Sequence, residues 1–176
     1  MTVSETIYQL KRILDKLRLN AQMAIQLDRM FAEAGYSQVL RQSFEGTQAV
    51  NGYNVCLRSL YYELIMVLNR MYDRGDNTAS IPALFEFLNQ PGIVDSLQRN
   101  ARNAYSNLGA AGEETDEIKK LSEGWSKEHD IENEKLFLSK LESAQEKYKS
   151  IAGSHLISSL REIRNKMYAH TATEFE

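Results

Sequence analysis

The residues of this 176-residue chain best suited to chemistry gather in one run, Arg161-Glu162-Ile163-Arg164-Asn165-Lys166-Met167-Tyr168-Ala169-His170-Thr171. Of the three histidines, His129, His155 and His170, only His170 follows an arginine at short range, Arg164. Imidazole exchanges protons near neutral pH, so His170 suits general acid or general base work. The guanidinium of Arg164 stays charged and presents a planar fork of donors matched to phosphate oxygens, so it can stabilise charge developing there without a metal. On a regular helix the two positions are offset by about 120°. For both to serve one site, the helix is expected to end or bend before His170.

Other chemistry is absent from the sequence. There is no glycine-rich phosphate loop, no pair of histidines at helical spacing, no elbow serine and no calcium-loop pattern. The histidines are too dispersed for a metal cluster, and the single cysteine, Cys56, allows neither an internal disulfide nor a cysteine-based zinc site. No metal and no cofactor is therefore expected. Glu113-Glu114 and Asp116-Glu117 sit in a polar run and read as solvated surface.

The elements that must position this run are helical. Only two prolines, Pro82 and Pro91, interrupt the chain, and its nine glycines fall mostly between apolar-periodic stretches. From Ser4 to Ala34 the positions Ile7, Leu10, Leu14, Leu17, Ala21, Ala24, Leu27, Met30 and Phe31 form one stripe. Gly35 is its natural stop. A second helical stretch starts near Ser37, with a break between Gly46 and Gly52, and carries Tyr53, Cys56, Leu57, Leu60, Leu64, Val67, Leu68 and Met71. Ser80 is placed to cap a helix whose first turn holds Pro82, with Ile81, Leu84, Phe85 and Leu88 on its apolar face. A further helix spans Ile93 to Leu108. The acidic connection at about 109–130 reads as mobile or as a marginal helix, with Trp125 to pin it. Helices at Ile131 to Lys149 and Ser154 to Ala169 then meet at Gly153, the last with Leu156, Leu160, Ile163 and Met167 facing inward. The expectation is an all-α protein, a single helical bundle of residues 1–176 with two long N-terminal helices and shorter following ones.

With 43% apolar and 26% charged residues, the chain can build a core. Its net charge of −3 gives no overall basic field to draw polyanions, so any nucleic-acid contact has to be local. The start Met1-Thr2-Val3-Ser4-Glu5 lacks a signal-peptide pattern, and no stretch approaches a membrane span, which points to a soluble cytoplasmic protein.

The spacing of Arg164 and His170, with the polar Asn165 directly after the arginine, resembles the Arg-x(4–6)-His motif of HEPN domains, the higher eukaryote and prokaryote nucleotide-binding domains. The run Leu68-Asn69-Arg70-Met71-Tyr72-Asp73, followed by Ser80 and the Ile81 to Leu88 helix, is similar to the abortive-infection branch of that superfamily. The resemblance implies a metal-independent endoribonuclease that cuts RNA by attack of the ribose 2′-hydroxyl, in a toxin or phage-defence role. It also implies a homodimer whose two motifs face a common cleft, and a possible antitoxin or other regulatory partner. Arg164 and His170 are then the catalytic pair. Asn165, Lys166, Tyr168 and Asp73 are supporting positions: Asn165 to orient the histidine or a phosphate, Lys166 as a phosphate contact, Tyr168 for stacking or the dimer seam, and Asp73 at the cleft border. Against these stand a helix-surface asparagine, an exposed lysine favourable to the helix dipole, and a local ion pair of Asp73 with Arg70. Arg58, Arg99 and Arg102 could widen an RNA track. The competing readings are a HEPN-like module for dimerisation, nucleotide binding or protein interaction without cleavage, and a plain helical interaction domain.

Overall fold

A computed structural model of the chain describes residues 2–75, 78–103 and 116–173, with the backbone alone described at 116–123 and 168–173. Seven helices and no strand occur among the described residues: α1 (Val3–Tyr36), α2 (Gln38–Phe44), α3 (Ala49–Met71), α4 (Ile81–Leu88), α5 (Ile93–Arg102), α6 (Asp116–Ala152) and α7 (His155–Thr173). The protein is all-α, with α1 and α3 as the two long N-terminal helices. Contacts gather it into two compact units, residues 1–8 with 85–152 and residues 9–84 with 153–176.

The first unit opens on a capping box. The Thr2 hydroxyl accepts from the Glu5 amide at 3.3 Å, and the Glu5 carboxylate accepts from the Thr2 amide at 2.7 Å. That amide, together with the Thr2 side chain, lowers the pKa of Glu5. One turn on, Thr6 is buried, its hydroxyl 3.1 Å from the Thr2 carbonyl oxygen and 3.3 Å from Gln90 Oε1. Gly92, at φ +77°, turns the chain into α5 where a side chain would strain it. α5 packs along α6 over the fully buried Ile93, and Phe85 stacks on Tyr148 with ring centroids 4.5 Å apart. At the polar edge of this seam Gln98 Nε2 donates to Glu134 Oε1 at 2.6 Å, and Arg102 Nε stands 3.7 Å from Glu134 Oε2.

Helix α6 begins at Asp116, well before Ile131, so the acidic stretch is helical from that point. Its apolar residues are sparse and weakly periodic, which hides a helix that Glu, Lys and Leu propensity sustains even through Gly124. At 37 residues it is longer than a following helix was expected to be. Positions 104–115, including the end of the helix expected to reach Leu108, lie outside the described residues. Trp125 stays half exposed, its ring 4.0 Å from that of His129 on the same helix.

In the second unit α3 packs against α2 and α7. Ser37 caps α2, its hydroxyl accepting from the Leu40 amide at 3.3 Å, and the break before α3 falls at Gly46 with φ +74°, while Gly52 lies inside α3. The Tyr53 hydroxyl donates to the Ala34 carbonyl and its ring stacks on Phe44 at 5.0 Å, tying the end of α1 to the start of α3. Ser80 caps α4 as its position predicts, accepting from the Ala83 amide at 3.3 Å while fully buried.

The buried face of α1 runs through Leu10, Ile13, Leu17 and Ala24. Leu14 and Met30, expected on that stripe, are 51% and 55% exposed. Ile13 takes the place of Leu14, which points about 100° further round the helix. On α3 the exposed Cys56 leaves the expected stripe, and Ile65 and Asn69 join Val67 among its buried residues. Leu156 at the start of α7 is likewise exposed, against the inward face expected of it.

Candidate functional site

α7 carries the whole Arg164 to His170 segment. The chain before it breaks at Gly153-Ser154 and restarts at His155, whose ring Nδ1 lies 2.8 Å from Ser159 Oγ. The helix then continues past His170 to Thr173. The expected end or bend before His170 is therefore not there. Helical hydrogen bonding persists because Met167, Tyr168, Ala169 and Thr171 include no breaker. On this continuous backbone, positions 164 and 170 stay about 120° apart. The side chains of Tyr168 and His170 lie outside the described ones.

Arg164 is half-buried and held by its neighbour: Nε and Nη2 donate to Asn165 Oδ1 at 3.3 and 3.2 Å. It has no carboxylate partner among the described residues. A neutral amide oxygen fixes the guanidinium without cancelling its charge, which keeps that charge available to an anion. Asn165 thus acts on the arginine. Lys166 instead pairs with Glu162 at 2.7 Å, both side chains well exposed. The Lys166 hydrogen bond, and then its charge, lower the pKa of Glu162.

A buried polar residue of α3 reaches the α7 turn that precedes this stretch. Asn69 on α3 is only 5% exposed. Its Nδ2 donates to the Ile65 carbonyl of its own helix at 2.9 Å and to the Leu160 carbonyl of α7 at 3.2 Å. An amide one turn beyond the apolar Ile65, in a helix stretch otherwise rich in Leu and Met, was the available signal.

Other expected positions fall elsewhere. Asp73 follows α3 and accepts from the Arg74 amide at 2.8 Å; it has no hydrogen bond or ion pair to the α7 segment among the described residues. Arg70 does not pair with it. Arg70 turns back along α3 to Glu63 at 2.7 Å, since a partner seven residues away lies on nearly the same helix face. In the other unit Arg99 and Arg102 line an open hollow of about 410 Å³ together with Asp95, Gln98 and Glu134, where carboxylates offset their charge. Arg58 is exposed. Among the described residues no three His, Cys, Asp or Glu side chains converge as metal ligands do, and no described helix is long and apolar enough to cross a membrane.

The HEPN_AbiU2 family model, described as AbiU2, matches residues 7–176. No curated protein matches the chain, and no solved structure does.

Proposed function

The chain belongs to the AbiU2 family of HEPN domains, within the abortive-infection branch, and from that premise we propose that it is a metal-independent endoribonuclease with a toxin or phage-defence role. The observation that carries this reading is the half-buried Arg164, fixed by an amide and paired with no carboxylate among the described residues. Such a guanidinium can bind a scissile phosphate and stabilise the phosphorane that forms when the ribose 2′-oxygen attacks phosphorus. One His170 imidazole takes the 2′-hydroxyl proton, and a second, protonated imidazole gives its proton to the departing 5′-oxygen. The products are a 2′,3′-cyclic phosphate and a free 5′-hydroxyl.

Two imidazoles require two copies of the chain. The offset between positions 164 and 170 on the unbroken α7 supports the same arrangement, because an arginine and a histidine from different copies can face one cleft where those of one helix diverge. A homodimer acting on RNA in the cytoplasm, held in check by a regulatory partner, is the setting this reading gives it. Lys166 and Tyr168 are the neighbouring contacts for RNA, and Asp73 borders the cleft.

The test is RNA cleavage in EDTA by wild type, Arg164→Ala and His170→Ala, with light scattering on each. Cleavage by wild type alone, with all three dimeric, supports the assignment. Equal cleavage by all three points to a contaminant. An inactive wild-type dimer returns the chain to a HEPN module that binds without cutting.

A further inference from the structure

We infer that Asn69 is a positioning residue for Arg164, acting through the α7 turn on which the arginine stands; this rests on the ribonuclease reading. In an α-helix the carbonyl of residue 160 is the acceptor for the amide of residue 164, and both residues lie within α7. Asn69 Nδ2 reaches that same Leu160 carbonyl at 3.2 Å. The oxygen that closes the helical turn of Arg164 is therefore also the one gripped by α3.

The grip is specific. Nδ2 has two hydrogens, and both are committed, one to Ile65 on its own helix and one to Leu160 across the seam. Because Asn69 is 5% exposed, water cannot readily substitute for either bond. Apolar packing alone tolerates small rotations of one helix on another, whereas a directed bond does not. Turning α7 by one residue carries the Leu160 carbonyl about 100° away from the amide and swings Arg164 with it. Two neutral amides in series thus place one charge. Asn69 sets the helix turn from the buried side, and Asn165 sets the guanidinium from the exposed side at 3.2 to 3.3 Å. Neither adds a countercharge that would weaken phosphate binding.

Two variants test this. Asn69→Leu keeps much of the volume and removes both bonds. Asn69→Ser is the milder variant, because a hydroxyl can still bond back to the Ile65 carbonyl but is too short to reach Leu160. Each is assayed for RNA cleavage, and the Arg164 Nε–Hε resonance is followed by NMR, with the capped backbone amides of Leu40 and Ala83 in the same unit as reporters of fold. The expected result for either folded variant is a kcat lowered about tenfold to a hundredfold with KM near the wild-type value. The Arg164 resonance is expected to shift or broaden while the Leu40 and Ala83 amide signals stay in place. A folded variant with an unmoved Arg164 resonance, or with undiminished kcat, overturns the inference. If wild type itself does not cut, the ribonuclease reading fails, and the NMR comparison alone decides whether Asn69 positions Arg164.

Discussion

The two helix seams of this protein, α3 against α7 and α5 against α6, use polar residues in opposite ways. Across α3 and α7 the polar link is a buried neutral amide on a backbone carbonyl. At the edge of α5 and α6 it is a partly exposed set, Gln98 and Arg102 on Glu134, in an open hollow. A buried amide is costly to strand and has few alternative partners, so it fixes a register. A solvated charge pair can be replaced by water and salt. The seam beneath Arg164 is built for precision, and the other is built to tolerate change.

The sharpest way to break this comparison is in the apolar floor of each seam. Ile65→Ala and Ile93→Ala each remove a buried side chain, and each is expected to cost about 2–5 kcal/mol in denaturant unfolding. A loss below about 1 kcal/mol at either site shows that its seam is not core. Next come the polar links. Asn69→Ala is expected to cost about 1–3 kcal/mol, and Arg102→Ala under about 1 kcal/mol. Adding salt should narrow the effect of Arg102→Ala and leave that of Asn69→Ala unchanged; the reverse order sinks the distinction. Helix caps sharpen it further. Removing the buried hydroxyl of Ser80 is expected to cost about 1–2 kcal/mol, and removing that of the more open Ser37 about 0.5 kcal/mol, both read from thermal midpoints.

The smallest effect belongs to the exposed Glu162–Lys166 pair. Its lowered pKa means that the folded state holds the Glu162 carboxylate ionised below the ordinary range. The small stabilisation is present above the unfolded pKa and fades as pH falls through the folded one. In Lys166→Ala, NMR titration should show the Glu162 midpoint rising to its ordinary value with little change in thermal midpoint. A midpoint that stays low means Lys166 is not the cause.

Local chemistry was legible in the sequence where one residue decides an outcome. Ser80 caps because a hydroxyl before Pro82 has that use, and Gly46 and Gly92 take the positive φ that other residues resist. The segment from Arg164 to His170 stood out as a pairing of types with few structural uses, but the unbroken course of α7 through it did not, since the expectation was an end or bend before His170. Registers were harder to see. Ile13 and Leu14 are adjacent and equally apolar, so only packing decides which turns inward. The extent of α6 was hidden because its stability does not come from an apolar stripe. The partner of Asn69 was invisible, since it is a backbone carbonyl and every residue has one.

That last bond spans 91 residues of sequence, which gives it a meaning in time. Closing so long a loop comes after local helices have formed. While the protein is being synthesised, α3 is complete well before its acceptor on α7 has been made. An unfinished chain that has not reached α7 therefore carries an Asn69 bonded only to Ile65 of its own helix, and the register of α3 on α7 is set by one of the last bonds to form.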